Sequence, residues 1–166
     1  ESSVPRPHRN PVSPAPRNPN IAVAGRTGLA AFYQLASDFG NAEIFMGART
    51  AERLYFVEEC RDVSQLHVAT DDGSEGFHGL VTDLLEQRLK ELSEDELGKL
   101  EFYNCGPAGM VHAAEAVQKR YCDAGQIYNA IDYLTKCGVG ICGACGSPDG
   151  RRLCVDGPFL CALDSQ

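Results

Sequence analysis

Four cysteines close to the C-terminal end constrain this chain more than anything else in it. Cys137, Cys142, Cys145 and Cys154 are spaced C-x4-C-x2-C-x8-C within the segment KCGVGICGACGSPDGRRLCVDGPFL. Thiols packed this tightly do not make a disulfide framework, which spreads its bridges across a domain; they suit a metal site. A C-x4-C-x2-C run with a more distant fourth Cys is the plant-type spacing of a [2Fe–2S] centre. Gly138, Gly140, Gly143 and Gly146 are interleaved with the thiols. Residues without a Cβ let the backbone wrap closely around a compact inorganic core. The amide N–H groups of such a loop can also point at sulfur and tune the centre. Pro148-Asp149-Gly150 is a tight-turn signal, so the chain is expected to return as a hairpin that brings Cys154 alongside. The competing reading is a structural zinc site. Zinc prefers two C-x2-C knuckles, or Cys with His, and here there is one knuckle and no nearby His. Cys161 is a weaker candidate for fourth ligand on spacing. Cys60, Cys122 and Cys161 read as structural thiols.

The rest of the chain has a different grammar. Residues 1–20 contain six prolines and almost nothing apolar, so they read as an arm or linker that cannot offset its ordering entropy. The chain opens on Glu1, which leads us to expect sequence upstream of it. From Ile21 onward, short apolar runs alternate with amphipathic stretches. Strands are expected at 21–24, 43–48, 65–70, 100–104 and 126–130. Helices are expected at 28–39, along Leu80, Leu84, Leu85, Leu89 and Leu92, and from Pro107 along Val111, Ala114, Val117 and Tyr121. This order predicts an α/β fold: a Rossmann-like parallel sheet forming a nucleotide-binding domain, followed by a small cysteine-rich [2Fe–2S] module. The expected boundaries are 1–20 for the arm, 21–126 for the α/β domain and 127–166 for the cluster module. Ligands of such sheets bind beyond the carboxyl ends of the strands. Four turns fall there: Gly25-Arg26-Thr27-Gly28, Gly47, Asp71-Asp72-Gly73 and Cys105-Gly106-Pro107. Their convergence on one edge describes a nucleotide site.

Charge narrows the partners. The net charge is −8, with acidic residues spread along the chain, which argues against nucleic acid. No apolar run reaches the length of a bilayer span, and no signal-peptide pattern is present. The expected location is therefore the cytoplasm. His67 falls inside an expected strand and reads as packed. His78 and His112 are placed at helix starts as ordinary histidines. Arg151 and Arg152 flank the expected hairpin and read as solvated residues, or as contacts for an electron-transfer partner.

Three upstream motifs join the cysteine segment in one resemblance: VAGRTGLAAF (23–32), ATDDGSEGFHGLVTDLL (69–85) and YNCGPAGMVHAA (103–114). With the closing C-V-D-G-P-F, they resemble the electron-transfer subunit of NAD-linked dihydroorotate dehydrogenase, in the ferredoxin-reductase superfamily. The likeness runs from about residue 20 to 161. It implies an α/β domain binding NAD, a [2Fe–2S] domain and an N-terminal β-barrel binding FAD. It also implies a hetero-oligomer with an FMN-containing catalytic subunit that oxidises dihydroorotate in pyrimidine synthesis. Electrons would run from that FMN through the cluster to FAD, then as hydride to NAD. The chain would then be a subunit of an oxidoreductase rather than a complete enzyme.

By the same resemblance, Gly25, Thr27 and Gly28 match the glycine-rich turn that faces the dinucleotide, and Asp71 and Asp72 match its acidic turn. Cys105, Gly106, Pro107 and Met110 match a C-G-P motif near the meeting point of nicotinamide and flavin, with Cys105 the candidate catalytic thiol. The four spaced cysteines match the cluster ligands. The chain departs from the family pattern at Arg26, where a second glycine is usual, at Ala31-Phe32, and in the stretch IDYLTK. No counterpart of the FAD barrel precedes Ile21, so FAD is expected to need a barrel absent from this chain. Two further readings stay open: a small subunit of a related NAD(P)H:ferredoxin or sulfide oxidoreductase, and a non-enzymatic iron–sulfur redox-sensing module.

Overall fold

The computed structural model describes residues 20–25, 28–39, 42–131 and 134–165 of the chain. The proline-rich arm up to residue 19, together with Arg26 and Thr27, lies outside the described residues.

A continuous apolar run buried on both faces belongs at the centre of a parallel sheet. The strand β1 (Asn20–Gly25) is such a run, with all six residues buried. It pairs in parallel with β2 (Ala42–Ala48) on one side and with β5 (Glu101–Gly106) on the other. Beyond β2 lie β3 (Gln65–Thr70) and the two-residue β4 (Phe77–His78); beyond β5 lie β6 (Ile127–Ile131) and β7 (Leu160–Cys161). The order is β4-β3-β2-β1-β5-β6-β7, and only β7 runs antiparallel to its neighbour. The chain winds outward through β2 and β3, then returns to β5 on the opposite side of β1. The topological switch therefore falls between β1 and β5, where sheets of this kind open a crevice.

Helices cover both faces. α1 (Leu29–Phe39) and α2 (Val57–Val63) pack on one side over Ala22, Ala24, Ile44, Met46 and Tyr103. On the other side, α3 (Val81–Glu91) and α5 (Ala108–Gln118) bury Leu85, Leu89, Val111 and Ala114 against Val23, Phe45 and Phe102. The helical stripe expected from Leu80 starts one residue too early. Leu80 is the residue before the helix and is half exposed, while Val81 and Thr82 take the buried positions.

Several elements carry no clear periodic signal. The helix α2 has one buried residue, Cys60, in seven, and α4 (Glu94–Leu97) is a single turn held by a Ser93–Glu96 capping box. Short strands such as β4 and β7 form because a neighbouring edge is waiting for them.

Ile127–Ile131, grouped on sequence with the cysteine-rich segment, is paired with β5, and β7 adds Leu160 and Cys161 to the same sheet. Phe159 follows the hairpin and packs on Phe32 and edge-on against Tyr103, with centroids 5.8 and 5.4 Å away. The cysteine-rich segment is thus fastened to the α1 side of the sheet. His78 lies in β4 rather than at a helix start, and His112 stands in the second turn of α5.

Candidate functional site

All four glycine-bearing turns contribute to one cleft of about 360 Å³ at the carboxyl edge of the sheet. Gly25 closes β1, Gly47 lies near the end of β2, Asp71 follows β3, and Pro107 and Met110 open α5. The glycines are needed because the walls come close. A Cβ on Gly25 would stand 2.6 Å from Met110 Sδ, and one on Gly47 would stand 2.8 Å from Val81 Cβ. Gly106, with φ of +151°, lies where a Cβ would meet Gly25 Cα at 3.1 Å, so β1 and β5 touch at the switch point. Helices α3 and α5 both begin at the cleft, and neither has a side-chain cap. Uncapped N–H groups favour negative charge there.

Other sequence-selected residues have different places. Gly28 packs under β5, where an added Cβ would sit 2.4 Å from the Cys105 carbonyl oxygen and 3.2 Å from its sulfur. Cys105 itself joins the apolar cluster on the α1 side and is not among the cleft-lining residues. Asp72 turns into its own loop. Its Oδ1 accepts from the Ser74 N–H at 3.0 Å and from Ser74 Oγ at 2.6 Å, which hold its carboxyl below the usual carboxylate range. Ser74 Oγ in turn accepts from the Ala51 N–H at 2.7 Å, which pins this loop to the turn after β2. Arg49 and Arg53, on that turn, line the cleft and have no ion pair among the described residues. Sequence reasoning passed over both, although their closeness to Gly47 marks the turn as part of the same edge. Thr27 lies outside the described residues.

In the cysteine segment the expected hairpin is present. Gly146 bridges Arg152, the Gly150 N–H donates to Ser147 O at 2.9 Å, and the Ser147 N–H donates to Arg151 O at 2.8 Å. The Leu153 N–H then donates to Cys145 O at 3.2 Å, which sets Cys154, on the short helix α6 (Leu153–Asp156), beside the third thiol. The four thiols form two pairs. Cys137 Sγ accepts from the Cys142 N–H at 3.5 Å, and that amide, with the nearby Val139 and Ile141 amides and the Cys142 thiol, pulls its pKa down to about 6. The nearby Cys154 amide and thiol shift Cys145 down, while the Cys145 thiol shifts Cys154 up. Gly138, Gly140 and Gly143 hold φ of +72°, +77° and +70°, which turn these N–H groups inward. Cys161 lies on β7 with its sulfur 3.8 Å from the carbonyls of Ala124 and Gly125, away from the hairpin.

This donor set fits a dinuclear centre. A [2Fe–2S] unit takes four thiolates, two at each iron, with N–H groups pointing at sulfur. A single tetrahedral zinc needs its ligands gathered about one point. Among the described residues, no three Cys, His, Asp or Glu side chains gather in that way.

No protein-family model matches the chain. Curated relatives do. Over 145 residues the chain is 36% identical to the probable dihydroorotate dehydrogenase B (NAD(+)) electron transfer subunit of Methanocaldococcus jannaschii, covering 84% of this chain and 54% of that protein. It is 32% identical to the corresponding subunit of Geobacillus kaustophilus over 162 residues, covering 90% and 58%. The chain thus spans about half the length of the curated relatives it matches. Among solved structures, Amycolatopsis cytochrome P450 reductase GcoB superposes with a TM-score of 0.55 at 23% identity, over 71% of this chain and 40% of that one. A ferredoxin NADP+ reductase from Neisseria gonorrhoeae gives 0.54 at 17%, over 66% and 54%. These two show a shared fold. The sequence relatives go further: the chain belongs to the family of dihydroorotate dehydrogenase B electron transfer subunits.

Proposed function

We propose that the chain is the NAD-binding and [2Fe–2S]-bearing portion of an electron transfer subunit, working in the cytoplasm beside an FMN-containing dihydroorotate dehydrogenase. The observation that carries this reading is the hairpin that sets Cys154 beside Cys145, next to the loop in which the Cys142 N–H donates to Cys137, in a chain whose sheet also opens a cleft at its switch point. When bound, the cluster supplies one-electron transfer, which a nicotinamide cannot perform by itself.

The chain's own residues divide the remaining work. Gly25 and Gly47 let a dinucleotide approach the backbone, and the open N–H groups of α3 and α5 face its phosphates. Arg49 and Arg53 add positive charge at the mouth. Asp71 is placed to accept from a ribose hydroxyl, with Asp72 holding its loop. Pro107 and Met110 form an apolar ledge that excludes water from the nicotinamide end. Gly28 and Cys105 set the spacing between α1 and β5. FAD, in this reading, is held by a barrel outside residues 20–165.

Anaerobic co-purification with the partner tests the proposal. The expected result is about two iron and two labile sulfide per chain, and reduction of NAD+ that depends on dihydroorotate. Saturable NADH binding by the complex should weaken when Gly25 is replaced by Val. Zinc in place of iron, or no NADH binding at millimolar concentration, would overturn it.

A further inference from the structure

Arg152 is a surface residue by exposure, yet its side chain is committed. Its Nη1 donates to the Gly140 carbonyl at 2.5 Å, across the gap between the hairpin and the first cysteine loop. Its backbone is fixed as well. The Arg152 N–H donates to Asp156 Oδ2 at 2.7 Å, and its carbonyl accepts from the N–H groups of Val155 and Asp156 at 3.0 and 2.8 Å. The guanidinium therefore projects from the start of the helix that carries Cys154. It ends on the loop that carries Cys137 and Cys142.

What it grips is informative. The Gly140 carbonyl belongs to the same peptide unit as the Ile141 N–H, in the turn whose next amide, that of Cys142, donates to the Cys137 sulfur at 3.5 Å. In a trans peptide the two groups point in opposite directions, so holding the carbonyl aims the N–H. A charged donor on the carbonyl also polarises the amide and strengthens its N–H as a donor. Arg152 thus ties the loop between Cys137 and Cys142 to the helix that carries Cys154. No other side chain fits there: a Cβ on Gly140 would stand 2.6 Å from Val155 Cγ2 and 3.3 Å from Arg152 Nη1.

We infer that Arg152 is a positioning residue for the iron–sulfur centre, which orients the Gly140–Ile141 peptide toward Cys137 and places a fixed positive charge beside the cluster. The inference rests on the cluster reading above. A cation and a strengthened N–H donor both stabilise the more negative, reduced state, so Arg152 raises the reduction potential. By linking the two cysteine-bearing segments, it also slows loss of iron.

The test uses the iron-loaded full chain, as wild type and as Arg152→Gln and Arg152→Lys. Midpoint potential, visible circular dichroism and the rate of iron release to a chelator are the readouts. Arg152→Gln should shift the potential to more negative values, alter the visible dichroism and release iron about tenfold faster, in the range seen when groups supporting metal ligands are removed. Arg152→Lys keeps the charge and loses the fork, so it should recover the potential more than the release rate. Lys99→Gln, a charge removal beyond α4, should change neither. Iron-loaded variants of Arg152 with wild-type potential, dichroism and release rate would overturn the role of Arg152 alone. A wild-type chain that takes up no iron would overturn the cluster reading beneath it. Should Arg152→Gln fail to load, Arg152→Lys decides: wild-type values in all three readouts for that variant would also overturn the role.

Discussion

The sheet and the cysteine segment are held by different forces. From Asn20 to Ile131 the chain buries two apolar layers, with Val23, Phe45, Leu85 and Phe102 on one side and Leu29, Phe32, Ile44 and Met46 on the other. Between Leu134 and Phe159, the buried residues are Cys145 and Gly157, while Leu134, Val139 and Ile141 point outward. What orders that segment is a set of short-range hydrogen bonds and, at its end, the anchor Phe159. Hydrophobic burial specifies a fold without a ligand; a loop of turns around thiols is finished by the metal those thiols hold.

The widest separation of the two regions should come from removing iron. Chelation of the loaded protein is expected to leave far-ultraviolet dichroism nearly unchanged. Protease cleavage within residues 134–158 should speed up by about tenfold or more, as expected for a region of low local stability. Loss of the sheet signal in step with iron would show that the two regions fold as one unit.

The opposite break is made in the core. Phe102 is fully buried at the centre of the sheet, and Phe102→Ala should cost about 3–5 kcal/mol in denaturant unfolding. The iron-loaded segment should keep its visible spectrum under conditions where the variant is still folded. A cost below about 1 kcal/mol would mean that the site collapses around the deletion.

These two regions were also legible to different degrees. The five main strands and three long helices follow from apolar runs and periodicity, because burial on two faces leaves that mark on the sequence. The hairpin follows from Pro148-Asp149-Gly150 and the ligand spacing. Elements stabilised by tertiary context left no such mark: β4 and β7 are two residues each, and α2 is mostly polar. In the cleft, glycines announced the turns, whereas Arg49 and Arg53 became visible only when β2 was placed beside the switch point. Cys105, the candidate thiol of the C-G-P motif, is carried by β5 on the α1 side of the sheet, a placement that only the strand's pleat reveals. Arg152 looked like solvated charge because nothing in a sequence says that a carbonyl twelve residues upstream lies within reach.

A smaller effect is expected from the polar interior of the sheet half. Asn104 and Gln118 are fully buried and exchange two hydrogen bonds of 2.8 and 2.9 Å, and Asn104 also donates to Asn129 at 2.8 Å. Asn104→Ala strands both partners and should cost about 1–3 kcal/mol. Asn104→Ala combined with Gln118→Leu should recover part of that loss. Equal stability of the single and double variants would show that water satisfies Gln118.

The smallest expected effect concerns a partly buried ionic cluster on the core side of the sheet. Glu43 on β2 accepts from Arg88 Nε at 2.8 Å and lies 3.0 Å from His67 Nε2, while His67 stacks on Phe45 and Arg88 also reaches Glu91. Burial pushes the Glu43 carboxyl up, but hydrogen bonds from His67 and Arg88 outweigh it and leave the pKa below the ordinary glutamate value. A depressed folded-state pKa means that the contribution of Glu43 is fully present above the ordinary glutamate range. It is lost as the pH falls through the folded value. Glu43→Gln should therefore cost about 1 kcal/mol at neutral pH, since Arg88 is partly solvated and the pair is screened. The difference from wild type should shrink progressively as the pH falls through and below the ordinary glutamate range. Denaturant titrations across that range measure it directly, and curves that stay parallel down to the acid limb would show that Glu43 titrates in the folded state as it does in the unfolded chain. A cluster built this way stiffens the β2–β3–α3 side, the same side on which Gly47 and Val81 close the cleft, so its loss should be felt in the sheet half and leave the cysteine loop untouched.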